Sequence, residues 1–288
     1  MKIFINGFWT GFSEKTEGVH VGFFEELIKQ LYKINDIYIT TDIHDADILL
    51  ESFFMQKTQL FSKNWKCTIF FSGEVIQYPD HIDKYTIVLC PNTNGQNRVI
   101  CPLFLAYMYS KNILLDKQNI IPEVPLKNIC AIISNDKPGS FRSQFISLLE
   151  SRGIHVDMAG RFRNNIGHTV PGYYYESSTI SFMKQYKIIL ALENNIDTQY
   201  ITEKIVNPLI AGVVPVYYGT NTVTDYFNEE RFIKIDINNI EKTISTIIEV
   251  LDSSEKWLNI VNKSCMTQDI NDILIRIVER CSHIIEPI

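Results

Sequence analysis

The chain has 288 residues, enough for two domains of ordinary size, and 45% of them are hydrophobic against 21% charged. That balance excludes a disordered chain, and a formal charge of −6 excludes a broad basic surface for nucleic acid. An anionic ligand would therefore need a local cationic pocket. Cys67, Cys90, Cys101, Cys130, Cys265 and Cys281 form no Cys-x-x-Cys pair, and several sit in apolar runs. They read as small buried hydrophobes of a reducing compartment. The histidines are scattered, so no zinc site is expected.

In chain order, Lys2 to Ile5 reads as a first strand. It is too short for the apolar core of a signal peptide, and no stretch approaches the ~20 apolar residues of a membrane helix. The expectation is a soluble protein, cytoplasmic or peripheral to a membrane. His20 to Ile34 reads as a helix with Val21, Phe24, Ile28 and Leu31 on one face. Ala46 to Leu50, Cys67 to Phe71 and Thr86 to Cys90 are continuous apolar runs, as in parallel strands covered on both faces. Asn119 to Lys127 carries Pro122 and Pro125 and lacks helical periodicity. This divides the chain into domains 1–120 and 121–288.

A second alternation follows. Ile129 to Ile133 reads as a strand, Ser140 to Ser151 as a helix, Ile154 to Val156 as a short strand and Lys187 to Leu192 as a strong strand. A helix opens near Thr202 and is kinked or restarted at Pro208, and Val213 to Tyr217 is a further strand. Residues 239–285 are mostly helical and close the second domain. The predicted class is α/β, with two open parallel sheets and a cleft between them. Ligands of such sheets bind outside the carboxyl ends of the strands, which points to the segments after Phe71, Ser134 and Leu192.

The chemistry concentrates between Tyr186 and Gly219. A buried strand runs into Glu193 and Asn194, and Thr202 can cap the helix that carries Glu203 and Lys204. A helix N-terminus with a lysine suits a phosphate, and Glu203 can accept hydrogen bonds from sugar hydroxyls. The plainer alternative is an ordinary capped helix with solvated charges. Asp45-Ala46-Asp47 matches a metal-binding pattern, yet it precedes its strand and so belongs at the amino end, away from a carboxyl-edge site.

The stretch Leu192-Glu193-Asn194, Tyr200-Ile201-Thr202-Glu203-Lys204, Gly212 and Val214-Pro215-Val216-Tyr217-Tyr218-Gly219 resembles the donor-site signature of the α1,3/4-fucosyltransferases, glycosyltransferase family ten. Ile133-Ser134-Asn135 followed by Arg142 resembles that family's Ser-Asn segment with its following Arg. Ala159 to Gly167 resembles its Gly-rich segment, where Arg163 matches by position the arginine on the donor pyrophosphate. Ser72-Gly73-Glu74 resembles its Gly-Glu-Asn segment, with Val75 in place of the Asn. The resemblance covers roughly residues 70–235.

It implies a GT-B fold of two Rossmann-like domains and an inverting transfer of L-fucose from GDP-fucose to a hydroxyl of a glycan acceptor, commonly the 3-OH of GlcNAc or Glc. Glu74 would be the catalytic base. Ser134, Asn135, Arg163, Asn164, Glu193, Asn194, Tyr200, Thr202, Glu203 and Lys204 would bind the donor. No metal ligands and no required cofactor are implied, beyond stimulation by a divalent cation. The rival readings are a GT-B enzyme for another nucleotide sugar and a nucleotide-sugar-binding homologue without catalysis. A redox Rossmann enzyme is disfavoured, because no G-x-G-x-x-G follows a strand.

Overall fold

The computed structural model describes residues 1–54, 58–75, 78–92, 95–115, 123–137 and 139–285. The chain divides into two compact units. Unit 1 comprises Met1–Ile113, Asp197–Tyr200 and Gln268–Ile288. Its strands are β1 (Lys2–Asn6), β2 (Tyr38–Thr40), β3 (Ile48–Glu51), β4 (Cys67–Phe71), β5 (Ile87–Cys90) and β6 (Arg98–Ile100). They form one sheet in the order β2-β1-β3-β4-β5-β6, and every neighbouring pair is parallel. Every residue of β3, β4 and β5 is buried, which is why these runs are apolar without alternation. The helices α1 (Val21–Tyr32) and α2 (Leu103–Lys111) belong to the same unit. His20 caps α1 by accepting the Gly22 N–H on Nδ1 at 3.1 Å.

Unit 2 comprises Leu114–Ile196 and Ile201–Thr267. In chain order it holds β7 (Lys127–Ala131), α3 (Phe141–Ser151), β8 (Asp157–Met158), α4 (Ser177–Met183), β9 (Tyr186–Leu192), α5 (Glu203–Ile210), β10 (Val214–Tyr218), β11 (Ile233–Lys234), α6 (Ile240–Asp252) and α7 (Ser254–Val261). The sheet order is β11-β10-β9-β7-β8, again all parallel. Ile188, Leu190, Val214 and Val216 on the two central strands meet Phe145 and Leu149 of α3, Ile244 and Ile247 of α6, and Trp257 of α7 in one core. Trp257 donates its indole N–H to the Lys187 carbonyl at 2.8 Å, so its one polar atom is satisfied although the side chain is buried.

Several expectations change. The boundary between 120 and 121 lies outside the described residues, and the units part between Ile113 and Leu114. The final helix, α8 (Ile270–Ile285), belongs to unit 1 and not to the second domain. Its buried stripe of Ile270, Ile273, Leu274, Ile277 and Cys281 is covered by α1 and β6. The strand expected over Ile154 to Val156 forms instead at Asp157–Met158. β2, β6, α2, α4 and β11 escape the apolar pattern. β2 is a short edge strand with Tyr38 60% and Ile39 40% exposed, β6 is equally short, and α2 buries Phe104 to Met108 consecutively and so has no polar face to mark a period. α5 neither stops nor restarts at Pro208 but runs on to Ile210, and Gly212, with φ 72°, turns the chain into β10. All six cysteines are buried free thiols, as the apolar runs predict.

Leu274 is fully buried in α8, whereas Ile275 beside it is 46% exposed. Leu274→Ala should lower stability to urea by about 2–4 kcal/mol, through lost burial and the cavity left behind. Ile275→Ala should change it by less than about 0.5 kcal/mol.

Candidate active site

In unit 2 the strand order reverses between β7 and β9. The chain leaves β7 for β8 on one side and returns to β9 on the other. Ligands of parallel sheets bind at the carboxyl ends beside such a switch. Glu193 follows β9 directly and is 1% exposed. Its carboxylate accepts the Thr202 N–H at 2.9 Å and the Thr202 hydroxyl at 2.9–3.0 Å. Lys204 Nζ lies 3.3 Å from the same carboxylate and 3.5 Å from Glu203. Thr202 Oγ1 in turn accepts the Lys204 N–H at 3.3 Å, which makes Thr202 the N-cap of α5. Burial pushes the Glu193 carboxyl up to about 6, against the opposing pull of the Lys204 charge. A buried acid thus clamps the start of α5 to the end of β9, and a lysine stands at the helix's positive end.

The neighbouring turns complete this edge. The Glu193 N–H donates to the Tyr218 carbonyl at 2.8 Å, joining the ends of β9 and β10. Gly219 is required there, because a Cβ would fall 2.3 Å from the Tyr217 hydroxyl oxygen and 3.0 Å from Glu193 Cγ. Ser134 and Asn135 are exposed on the turn after β7. Arg142, in the first turn of α3, donates to the Asn135 carbonyl and to Asp136, each at 2.8 Å. Beside it, Phe141 stacks on Tyr218 with centroids 3.8 Å apart. Gly160 lets the turn after β8 lie flat on β7, since a Cβ would sit 2.0 Å from the Ile133 carbonyl oxygen. Asn194 and Asn195 follow Glu193 on the exposed side.

Arg163 and Asn164 are engaged elsewhere. The Arg163 guanidinium is held by Glu150 at 2.6 Å and Ser147 at 3.2 Å. α3 connects β7 to its parallel neighbour β8, so its last turn, with Glu150, lies toward the amino edge of the sheet. The arginine is therefore turned back along α3, and its φ of 51° shows that the turn itself dictates its backbone. Asn164 Nδ2 donates to the Gly160 and His168 carbonyls at 2.8 Å, and Oδ1 accepts the Gly167 N–H at 3.2 Å, so its amide closes the Gly-rich loop. Arg142 stands at the carboxyl edge. The signal for it was its place in the first turn of a helix that follows a strand–loop.

In unit 1, Glu74 lies just past β4 and is half-buried. Its Oε2 accepts the Tyr200 hydroxyl at 2.7 Å, and the Ser72 hydroxyl donates to its backbone carbonyl at 2.8 Å. The family resemblance implies separate tasks for these two side chains, and the fold bonds them to each other. Asp45 and Asp47 precede β3. Asp45 pairs with Lys2, and Asp47 pairs with Lys66 at 2.8 Å while accepting the Lys2 N–H at 2.9 Å. Among the described residues no cluster of three potential metal ligands occurs, and no helix is long and apolar enough to cross a membrane.

The family model described as glycosyltransferase family 10 (fucosyltransferase) C-term matches residues 125–260. The chain is 30% identical to human GDP-fucose protein O-fucosyltransferase 3 over 164 residues, 53% of this chain and 31% of that one. It is 28% identical to the Helicobacter pylori alpha-(1,3)-fucosyltransferase FucT over 136 residues, 42% of this chain and 27% of that one. Its matches thus span less than half the length of these curated relatives. Two crystal structures of alpha1,3-fucosyltransferase, one of them with GDP-fucose, superpose on 99% of the chain with TM-scores of 0.73 and 0.68 at 16% and 17% identity. The fold is GT-B. The matched segment takes in the whole Glu193–Thr202–Lys204 arrangement and Arg142, while Glu74 lies outside it.

The raised Glu193 carboxyl has a signed consequence. The native state binds its proton more tightly than the unfolded chain does, so this group's contribution to stability falls as pH rises from about 4.5 to about 6 and is level above that. Glu193→Gln should remove this slope. Urea midpoints of the variant and the parent, compared from pH 4 to 8, should diverge in the variant's favour across that window.

Proposed function

We propose that the chain is an inverting fucosyltransferase that moves L-fucose from GDP-fucose to a hydroxyl of a glycan acceptor. The observation that carries the reading is the start of α5, where Lys204 and the helix N-terminus stand at the carboxyl edge of unit 2 on a base set by buried Glu193. Partial positive charge at a helix N-terminus and a nearby ammonium suit a diphosphate. Arg142, held at the same edge by Asp136, adds a planar fork for phosphate oxygens. This reading uses Arg142 in the part that the family pattern suggests for Arg163. Ser134, Asn135, Asn194 and Glu203 are the polar groups of this edge for the nucleotide and the sugar.

The chemistry is a single displacement. Glu74 takes the proton of the acceptor hydroxyl, whose oxygen attacks the anomeric carbon from the face opposite the phosphate. The bond from that carbon to the phosphate oxygen breaks, and GDP leaves with the electron pair. Negative charge grows on the pyrophosphate, where Lys204, Arg142 and the α5 N-terminus stabilise it. No metal takes part in this scheme. The acceptor is a glycan hydroxyl, the 3-OH of GlcNAc or Glc. The relatives named protein O-fucosyltransferase support a second reading, in which the acceptor hydroxyl belongs to a polypeptide.

Calorimetric titration, with and without a divalent cation, should show binding of GDP and GDP-fucose but not of UDP-glucose or UDP-galactose. Preference for a UDP-sugar would overturn the donor assignment. Lys204→Ala and Arg142→Ala should each weaken GDP-fucose binding by about 10- to 100-fold, the worth of a hydrogen bond to a charged group. Arg163→Ala should leave it within about twofold. Glu74→Gln should abolish transfer to glycan acceptors and spare GDP binding; retained turnover would remove Glu74 from the mechanism.

A further inference from the structure

Tyr200 and Glu74 are 126 residues apart in sequence and meet through a 2.7 Å hydrogen bond. The tyrosine is 1% exposed. A side chain so covered, with its hydroxyl directed at a carboxylate, has little surface left for a nucleotide or a sugar. The loop that carries it is fastened along its length. The Gln199 N–H donates to the Pro91 carbonyl at 2.9 Å, and Asn92 Nδ2 donates to Asp197 at 3.3 Å. Asp197 also receives the Thr198 N–H at 2.6 Å, and its carbonyl receives the Tyr200 N–H at 3.3 Å. The carboxylate is fastened on its own side. Ser72 holds the Glu74 carbonyl, and Gly73 lies so close to Leu103 that a Cβ would come within 2.4 Å of Leu103 Cδ1.

Resting on the reading of Glu74 as the base, we infer that Tyr200 is a positioning residue for Glu74 and not a donor ligand. The phenol O–H donates to Oε2. That orients the carboxylate that receives the acceptor's proton. When the carboxylate is protonated, the phenol proton stays on Tyr200, so the bond serves orientation and the tyrosine is not part of the proton's path. Orientation matters because proton transfer demands hydrogen-bond reach of the acceptor hydroxyl.

The test is Tyr200→Phe, which removes one oxygen and keeps the packed ring. It should lower kcat by about 10- to 100-fold, the range for a hydrogen bond to a charged group. GDP-fucose affinity, measured by calorimetry, should stay within twofold, and the melting temperature and circular dichroism should report a folded chain. A merely structural role would not split kcat from donor affinity in this way. Unchanged kcat, or a loss that appears in donor affinity, overturns the inference and returns Tyr200 to the donor. Glu74→Gln, assayed beside it, separates the two levels. If the Gln variant keeps its turnover, the base assignment itself has failed; if that variant is inactive and Tyr200→Phe is fully active, only the positioning role has failed.

Discussion

A carboxylate withdrawn from water must be answered by charge and hydrogen bonds, and Glu193 is answered by the first residues of one helix. Two donors from Thr202 and the ammonium of Lys204 reach it within 3.3 Å. Removing either side would leave buried polar groups without partners, which costs more than the bonds are worth when made. The end of β9 and the start of α5 are therefore held as one piece. Everything proposed for donor binding depends on that piece, since a helix N-terminus binds an anion only where its N–H groups are pointed.

The same edge shows how close approach selects residue types. Gly219 yields its side-chain space to Tyr217 and Glu193, and Gly160 yields its own to the backbone of Ile133. Each glycine lets one turn pass flat beside another at a carboxyl end. The aromatic stack of Phe141 on Tyr218 then joins the start of α3 to the end of β10. The polar groups on these turns are thus mounted on packed backbone, which suits positions that must orient a ligand.

A run of five residues illustrates the economy of this chain. Tyr200 ends a loop that belongs with unit 1 and bonds Glu74, while Thr202 to Lys204 begin α5 of unit 2. Read as a motif, these residues look like one ligand-binding group. Resolved into contacts, they serve two separate carboxylates, Glu74 and Glu193. A second consequence is that the donor motif alone does not define the base's surroundings, which lie outside residues 125–260.

Much of the fold was legible in the sequence because its causes are local. Continuous apolar runs mark doubly covered strands such as β4 and β5, period and caps mark α1 and α3, and Thr202 before Glu203 and Lys204 marks the start of α5. The exposed edge strand β2 and α2, with its five consecutive buried residues, were not legible, because neither carries a two-sided pattern. For the site, the sequence supplied the residue types and their order, since a buried acid after a strand and a capped lysine at a helix start are written within a dozen positions. Only the tertiary structure decided which carboxylate Arg163 pairs with, where α8 packs, and what Tyr200 bonds. Those are contacts between residues far apart in the chain, and the direction of a long side chain such as Arg163 is set by whichever distant carboxylate it can reach, not by its neighbours in sequence.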